Sequence, residues 1–331
     1  MCEPESLVDK AQRGEIDVVF FTFRNQFVKE AAALFKGISG VQGYMLPTHA
    51  TRNGNKIDAN SFVAIDFTKP RLKQFDVNVA DHCNMKCKGC LRYSNIVETP
   101  FFADYERMIK DWKRIKELFW GVERVKLMGG EPLLNPDLGK YVKKSREIFP
   151  DADIMVTTNA LLISDKIKDL FEIMKDNNVF FDISLYKPME DHEDRLREIL
   201  ERNNVWYEMN YSKGNFYKIR SVKPIYDPDE MYERCAAKNC HHLREGKLSV
   251  CSAPQYACYM NERFGTSLPE NDGVYDIYNL DMDSWELDKC LSRSFESCRY
   301  CAPPVEFKWD RADAKTCKMS DWFVEEKNEN N

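Results

Sequence analysis

The chain has 331 residues, of which 43% are apolar and 31% charged, a composition typical of a globular protein with a full hydrophobic core. Its net charge is −6 and its Lys and Arg residues form no basic stripe, so nucleic acid is not expected as a partner. The N-terminal segment has no apolar signal core, and its longest apolar run, 18–21, is too short to span a membrane, so we expect a cytoplasmic protein without a membrane partner.

Predicted strands and helices alternate along the first two thirds of the chain. Residues 16–47 predict a strand, a helix and a strand, which form a small N-terminal unit of unassigned role. From 74 onward the spacing of apolar residues switches between the periods of a strand and a helix. The predicted strands cover 74–80, 122–128, 152–157, 179–185 and 205–210. The predicted helices cover 103–120, a segment that begins at Asn135 and Pro136, 163–175, and 190–201.

This order of elements predicts an α/β fold with a parallel sheet and crossover helices. In such folds the functional residues lie at the carboxyl ends of the strands. After about 222 the alternation ends, and cysteines, prolines and short segments take over. We therefore divide the chain into a small α/β unit at 1–73, an α/β core at 74–222 and a small cysteine-rich C-terminal domain at 223–331.

Twelve cysteines are many for a cytoplasmic protein. A disulfide framework suits small secreted chains, and this chain is expected to be neither, so metal binding or thiol chemistry remains. The cysteines are also clustered. Three lie within 83–90, and eight lie from Cys235 to Cys317.

The first cluster directly follows the strand at 74–80. Its spacing is Cys83-x3-Cys87-x2-Cys90. Three thiolates can ligate three irons of a [4Fe–4S] cubane and leave the fourth iron open to a ligand. The alternative is a structural zinc site, for which His82 would supply a fourth ligand.

A second motif, Gly129-Gly130-Glu131-Pro132, follows the strand at 122–128. Two glycines at a strand end allow a ligand to approach the backbone closely, and Pro132 ends the strand ladder. Taken alone, the motif is equally consistent with an ordinary strand-to-helix loop. Its position one βα unit after the cysteine triplet makes it specific.

Together these motifs resemble the radical S-adenosylmethionine (SAM) superfamily. CNMKCKGC matches the family's CxxxCxxC signature, although Gly89 stands where an aromatic residue usually precedes the third cysteine. The segments CKGCLRYS, VKLMGGEPLLNPDL, VTTNALL and DISLYKP follow in order and resemble a subgroup found with carbohydrate-processing enzymes. The resemblance implies a partial (β/α)6 TIM-like barrel that holds a [4Fe–4S] cluster and SAM at its open mouth.

The resemblance also implies which residues contact SAM. The Gly129–Pro132 segment would receive its amino group, and Thr157, Thr158, Asn159 and Ser184 at two further strand ends would contribute contacts. The alternative for these polar residues is that they only cap their loops.

The second cysteine cluster offers a complete set of four thiolates. Cys240 and Cys251 bracket a predicted hairpin whose His241 and His242 are expected to be exposed, and Cys298 and Cys301 form a CxxC pair. Zinc and a closed [4Fe–4S] cluster fit this count equally well.

The pattern of the second cluster resembles the SPASM/Twitch extension of radical SAM enzymes. This resemblance implies one auxiliary [4Fe–4S] cluster. Cys235 is the alternative to Cys240, since its distance from Gly246 fits the usual spacing better.

The resemblance implies an enzyme that reductively cleaves SAM to a 5′-deoxyadenosyl radical and takes a hydrogen from a small substrate. We expect a sugar or polyol, with alcohol oxidation or epimerisation as the reaction and a flavodoxin or ferredoxin as the electron donor. Cys258 is the candidate hydrogen donor for epimerisation, whereas Cys2, Cys290 and Cys317 are expected to be inert. The alternatives are a peptide-modifying maturase and a non-catalytic zinc-binding scaffold.

Overall fold

The computed structural model describes residues 4–54, 56–212 and 214–325, so Cys2 lies outside the described residues. The α-helices of this part are α1 Pro4–Gln12, α2 Val28–Ala33, α3 Tyr105–Leu118, α4 Leu138–Ile148, α5 Lys168–Asp176, α6 Lys187–Glu190, α7 Glu193–Arg202, α8 Pro228–Glu233, α9 Ala253–Phe264 and α10 Ser284–Leu291. The β-strands are β1 Val18–Phe21, β2 Gln42–Met45, β3 Val63–Ile65, β4 Arg71–Ala80, β5 Gly121–Gly129, β6 Asp153–Thr158, β7 Phe180–Leu185, β8 Tyr207–Tyr211, β9 Asn215–Arg220, β10 His241–Arg244, β11 Lys247–Ser249, β12 Val274–Asp276 and β13 Cys301–Lys308. Among the described residues, no helix is both long and apolar enough to cross a bilayer.

The N-terminal unit is a small sheet with its own hydrophobic core. Strand β1 pairs parallel with β2, and β2 pairs antiparallel with β3, so the strand, helix and strand predicted within 16–47 are confirmed as β1, α2 and β2. The unit is bonded to the rest of the chain. Lys29 of α2 pairs with Asp288 of α10 at 2.7 Å, and the buried Arg71 of β4 donates to the carbonyl of Asn25 at 3.0 Å.

The central sheet has the strand order β12-β11-β10-β4-β5-β6-β7-β8. The run from β10 to β8 is parallel, and crossover helices connect β4 to β8 in chain order. This confirms the predicted α/β partial barrel with a small cysteine-rich C-terminal extension. The predicted strands and helices of 74–210 are also present, with ends displaced by a few residues. The largest displacement is at α5, which begins at Lys168 rather than at 163 because a short 3₁₀ turn comes first.

The C-terminal extension supplies one strand of the core sheet. After β8 the chain leaves the sheet, since β9 pairs with β13, and β10 then pairs parallel with β4 at the opposite edge. The boundary expected at 222 therefore does not separate two sheets, because segments on both sides of it pair in the same central sheet. The expectation that His241 and His242 are exposed was wrong: both are fully buried because β10 lies inside the fold.

Alternation along β4 separates the hydrophobic core from a polar interior. Phe75, Val77 and Val79 are at most 1% exposed and belong to the hydrophobic cluster that also contains the helix residue Trp112. Asp76 and Asn78 lie on the opposite face of the strand and are also buried. The fold thus encloses polar side chains on the inner face of the sheet, directly below its carboxyl edge.

Candidate functional site

The cysteine loop begins three residues after β4 ends. Cys83, Cys87 and Cys90 all line one cavity of about 720 Å³. The carboxyl ends of the neighbouring strands line the same cavity, through Gly129, Gly130, Thr157, Thr158, Asn159 and Ser184. The structure therefore brings together most of the residues that the sequence singled out, at the strand edge where they were expected.

Hydrogen-bond donors surround the sulfur atoms of the triplet. The backbone N–H of Met85 donates to Cys83 Sγ at 3.4 Å, and the indole N–H of Trp309 donates to Cys87 Sγ at 3.1 Å. Such N–H···S bonds stabilise thiolates bound to iron and tune the cluster. Three cavity-facing thiols with these donors fit the ligand set of a [4Fe–4S] cluster with one open iron.

Burial affects the protonation of these thiols. It raises the pKa of Cys83 to about 11 and that of Cys87 to about 12, and the neighbouring Cys90 contributes in the same direction. Without metal these two thiols are therefore neutral at physiological pH. Binding of iron displaces their protons, which couples metal loading to pH.

The structure explains why Gly89 departs from the family pattern. Its φ is +68°, and a Cβ atom would lie 2.9 Å from the carbonyl oxygen of Asp321 and 2.9 Å from the ring of Phe307. An aromatic residue would be strained in this conformation and would collide with the C-terminal segment that covers the loop.

Both positions of the glycine pair require glycine, because the backbone that leads into the cysteine loop packs directly against them. A Cβ atom on Gly129 would lie 2.0 Å from the carbonyl oxygen of Ala80, and one on Gly130 would lie 2.2 Å from that of His82. Gly130 also donates its N–H to Ala80 at 2.8 Å. The sequence suggested an approach path for a ligand. Both glycines do line the cavity, but their missing side chains make room for the backbone that leads into Cys83.

Glu131 lies beneath the cavity rather than in its wall. Its side chain is fully buried and accepts hydrogen bonds from the N–H of Leu133 at 3.0 Å, the hydroxyl of Thr158 at 2.7 Å and the N–H of Asn159 at 2.9 Å. Burial raises its pKa to about 7 despite these bonds. Pro132 is buried beside it and begins a 3₁₀ turn. These two residues support the site, and neither is among the described residues that line the cavity.

Asn159 connects the end of β6 to the cysteine loop. Its amide Nδ2 donates to Asn84 Oδ1 at 2.9 Å and lies 3.6 Å from Cys83 Sγ. Thr157 and Ser184 face the cavity from the ends of β6 and β7. The four polar residues at these strand ends therefore line the same cavity as the triplet, and their contact with SAM stays a prediction.

In the second cysteine group the structure places Cys235, rather than Cys240, near the other three. The thiol of Cys298 interacts electrostatically with Cys251, Cys301 and Cys235. Burial first, and then these neighbours, raise its pKa to about 12. Cys251 likewise interacts with Cys301 and Cys235. We call Cys235, Cys251, Cys298 and Cys301 the four-cysteine site.

Cys240 lies elsewhere, at the start of β10. Because His241 is paired with Phe75, Cys240 lies beside Gln74, and its thiol interacts with Asp76 and Lys126 on the inner face of the sheet. The register of β10 therefore separates Cys240 from the other three cysteines and favours Cys235, as the sequence spacing did. The identity of the fourth ligand stays a prediction.

Cys258, the candidate hydrogen donor, does not line the cavity in the described part of the chain. It lies on α9, and its thiol is 3.9 Å from the carbonyl oxygen of Gln255.

In the described part of the chain, no three or more His, Cys, Asp and Glu side chains converge on a single metal ion. In a cubane each cysteine ligates a different iron, so the ligands need not converge on one point.

Two ion pairs on the inner face of the sheet were missed by the sequence analysis. Arg92 pairs with Asp76 at 2.8 Å, and Lys126 pairs with Asp182 at 2.9 Å. The only available signal was charge at alternate positions of otherwise apolar strands. Arg92 also lines the cavity, two residues after Cys90, so these pairs continue the site into the interior of the sheet.

Comparison with known proteins identifies part of the chain. Among curated proteins, a GTP 3′,8-cyclase of Clostridium botulinum is 33% identical over 123 residues, which cover 37% of this chain and 37% of the relative. A GTP 3′,8-cyclase of Sulfurovum sp. is 32% identical over 179 residues, with coverages of 49% and 51%. The chain thus spans between a third and half of the length of these relatives.

Among solved structures, BtrN in complex with AdoMet and 2-DOIA has a TM-score of 0.46 and 13% identity, covering 71% of this chain and 95% of that one. Native anSMEcpe with bound AdoMet has a TM-score of 0.35 and 19% identity, with coverages of 42% and 43%. A family model described as Radical SAM superfamily matches residues 77–210. This match includes the cysteine loop and the parallel strands from the end of β4 to β8, so this part of the chain is similar to a radical SAM superfamily domain.

Proposed function

We propose that this chain is a radical SAM enzyme in which Cys83, Cys87 and Cys90 hold a [4Fe–4S] cluster. The observation that carries the proposal is the shared cavity of about 720 Å³, which the three thiols line together with the ends of β5, β6 and β7. With SAM bound, the cluster supplies a 5′-deoxyadenosyl radical. The residues of the chain position SAM and substrate in the cavity and keep water from the reacting atoms.

We propose Gly129, Gly130, Thr158, Asn159 and Ser184 as the contacts of SAM, since all of them face the cavity beside the cysteine loop. Glu131 acts indirectly. Its buried carboxylate ties the glycine loop to Thr158 and Asn159, so it holds two strand ends at a fixed separation.

The proposed substrate is an uncharged polyhydroxylated compound such as a sugar or polyol. Arg92 lines the cavity and is paired with Asp76, whereas Lys126 and Asp182 form a second pair on the inner face of the sheet, outside the described residues that line the cavity. The polar part of the lining, which includes Asn95, Thr157, Asn159 and Ser184, offers donors and acceptors to hydroxyl groups. Tyr186 lines the same cavity and supplies aromatic surface for packing against a ring.

GTP is the second candidate substrate because the curated relatives are named GTP 3′,8-cyclases. A triphosphate carries several negative charges and is usually bound by cations that are free to contact it. Arg92 is neutralised by Asp76, which argues against its use as a phosphate ligand, but Lys86 also lines the cavity and has no carboxylate within ion-pair distance among the described residues, so the assay below decides between GTP and a polyol. Peptide modification remains a third candidate, tested by incubation with peptide substrates.

We further propose that the four-cysteine site holds one auxiliary [4Fe–4S] cluster. A zinc scaffold at the same four thiols is the alternative. We also propose a cytoplasmic location and reduction by a flavodoxin or ferredoxin.

The test is anaerobic reconstitution followed by iron and zinc analysis and a SAM cleavage assay. We expect about eight irons per chain and about four in the triple variant Cys83→Ala/Cys87→Ala/Cys90→Ala. With dithionite and SAM, the wild type should release 5′-deoxyadenosine and the triple variant should not. Zinc in place of iron, without SAM cleavage, contradicts the proposal. Consumption of GTP in preference to polyols contradicts the proposed substrate class.

A further inference from the structure

An arginine with sulfur neighbours lies against the four-cysteine site. Arg220 ends β9, and its Nη1 donates to Cys301 Sγ at 3.2 Å. Cys251 is a second sulfur neighbour that interacts electrostatically with Arg220. The Nε of Arg220 is buried and, among the described residues, has no hydrogen-bond partner. Within the same residues, no carboxylate lies within ion-pair distance of its guanidinium group.

A guanidinium group with buried nitrogens is costly unless a negative charge compensates it. The available compensation is therefore the sulfur group itself. Four thiolates around a [4Fe–4S] core have a net negative charge, which increases when the cluster accepts an electron.

We propose that Arg220 raises the reduction potential of the auxiliary cluster and thereby makes this cluster the electron acceptor in an alcohol oxidation. The inference rests on the proposed function and deepens it. A neighbouring cation and an N–H···S bond both favour the more negative, reduced state of a cluster. A higher reduction potential suits a cluster that accepts an electron. Oxidation releases such an electron and epimerisation does not, so the arginine favours oxidation.

The oxidation is balanced. The 5′-deoxyadenosyl radical would take the hydrogen atom from the carbinol carbon and become 5′-deoxyadenosine. The substrate radical that remains would give one electron to the four-cysteine site and its hydroxyl proton to water, and would become a carbonyl compound. The electron then leaves to a one-electron carrier, a flavodoxin or ferredoxin in the oxidised state.

Tyr93 shows that the two cysteine sites share a boundary. It lies three residues after Cys90, is 2% exposed, and interacts electrostatically with Cys90 as well as with Cys251 and Cys301. It also interacts with Arg220. Its backbone N–H donates to the carbonyl of Cys90 at 2.9 Å, and it lines the same small cavity as Arg220, so one buried residue connects the two cysteine sites.

The test is a redox titration followed by electron paramagnetic resonance. It uses the full chain with Cys83→Ala/Cys87→Ala/Cys90→Ala, so that only the auxiliary cluster contributes. Arg220→Gln should shift the potential to a more negative value, whereas Arg220→Lys should remain close to the parent. The matched control is Arg293→Gln, which removes another arginine–thiol contact, the 3.3 Å bond to Cys290, and should not change the potential.

A second pair of variants applies if Arg220→Gln does not retain iron. Ser297 and Arg220 line the same small cavity of about 20 Å³, and Ser297 Oγ is buried without a partner among the described residues. Ser297→Asp would neutralise the guanidinium and should lower the potential, whereas the uncharged Ser297→Asn should not.

The two proposals fail in different ways. Zinc, or no reducible cluster, in the triple-cysteine background contradicts the proposed auxiliary cluster. A [4Fe–4S] cluster whose potential is the same in Arg220→Gln and in the parent, or in Ser297→Asp and Ser297→Asn, overturns only the role of Arg220.

Discussion

Replacement of Glu131 tests how the floor of the cavity is held together. Glu131→Ala removes a fully buried acceptor and leaves the N–H groups of Leu133 and Asn159 and the hydroxyl of Thr158 without it. Each buried donor left unsatisfied costs about 1–3 kcal/mol, so the three donors together predict a loss of about 3–9 kcal/mol in the free energy of unfolding. Domains have about 5–15 kcal/mol in total, so this variant should be close to unfolding.

Glu131→Gln separates hydrogen bonding from charge. It retains one oxygen and should lose about 1–3 kcal/mol, since one donor remains unsatisfied. Burial raises the pKa of Glu131 from its ordinary 4.5 to about 7, so the folded state holds the proton more tightly than the unfolded state. The wild type should therefore lose stability relative to Glu131→Gln as the pH rises from about 4.5 to about 7, by at most about 3 kcal/mol.

Anaerobic urea titrations at several pH values between 5 and 8, followed by tryptophan fluorescence, measure both effects. Parallel pH profiles of the wild type and Glu131→Gln would refute the argument from burial. A loss below about 1 kcal/mol in Glu131→Ala would refute the argument from hydrogen bonds.

Three further predictions concern the cysteines and the glycine loop. Cys235→Ser should lose about four irons per chain, whereas Cys240→Ser should retain them; the opposite result would restore Cys240 as the ligand. Gly130→Ala should lower both iron content and SAM binding, because its Cβ atom would lie 2.2 Å from a backbone oxygen of the cysteine loop. Gly139→Ala is the control, since the nearest atom there is the end of a flexible side chain, and equal iron loss in both variants contradicts the reasoning. Cys258→Ala should leave SAM cleavage and product formation within about twofold of the wild type, and loss of product with retained cleavage would make it the hydrogen donor after all.

The sequence predicted the parallel core well because its signals are local. Apolar periodicity marked β4 to β8, and the chain itself carries Cys83, Gly129 and Thr158 to the same edge of the sheet. Whenever consecutive βα units form a parallel sheet, the residues after successive strands become neighbours in space.

The extension was harder to predict because its contacts are distant in sequence. Nothing near Cys240 indicates that His241 pairs with Phe75, yet that register alone directs Cys240 to the inner face of the sheet. The burial of His242 has the same cause, since it lies in β10 opposite Asp76. The sequence placed Gly130 correctly at a strand end, but the structure gives another reason for the glycine. The backbone for which it makes room follows a different strand, β4.

The C-terminal segment braces the cysteine loop as well as supplying ligands. Trp322 donates to the carbonyl of Cys90 at 2.8 Å, Trp309 donates to Cys87 Sγ, and Asp310 accepts the N–H of Lys88 at 2.9 Å. Backbone N–H groups and indoles hold their partners at fixed distances, so these contacts restrict where the loop can place its thiols. The placement of the first three thiols therefore depends on residues far beyond the domain that carries them. Because β10 also joins the core sheet, the separation of the two cysteine sites is set by strand pairing and packing rather than by a linker, which suits the proposed electron transfer from substrate to auxiliary cluster.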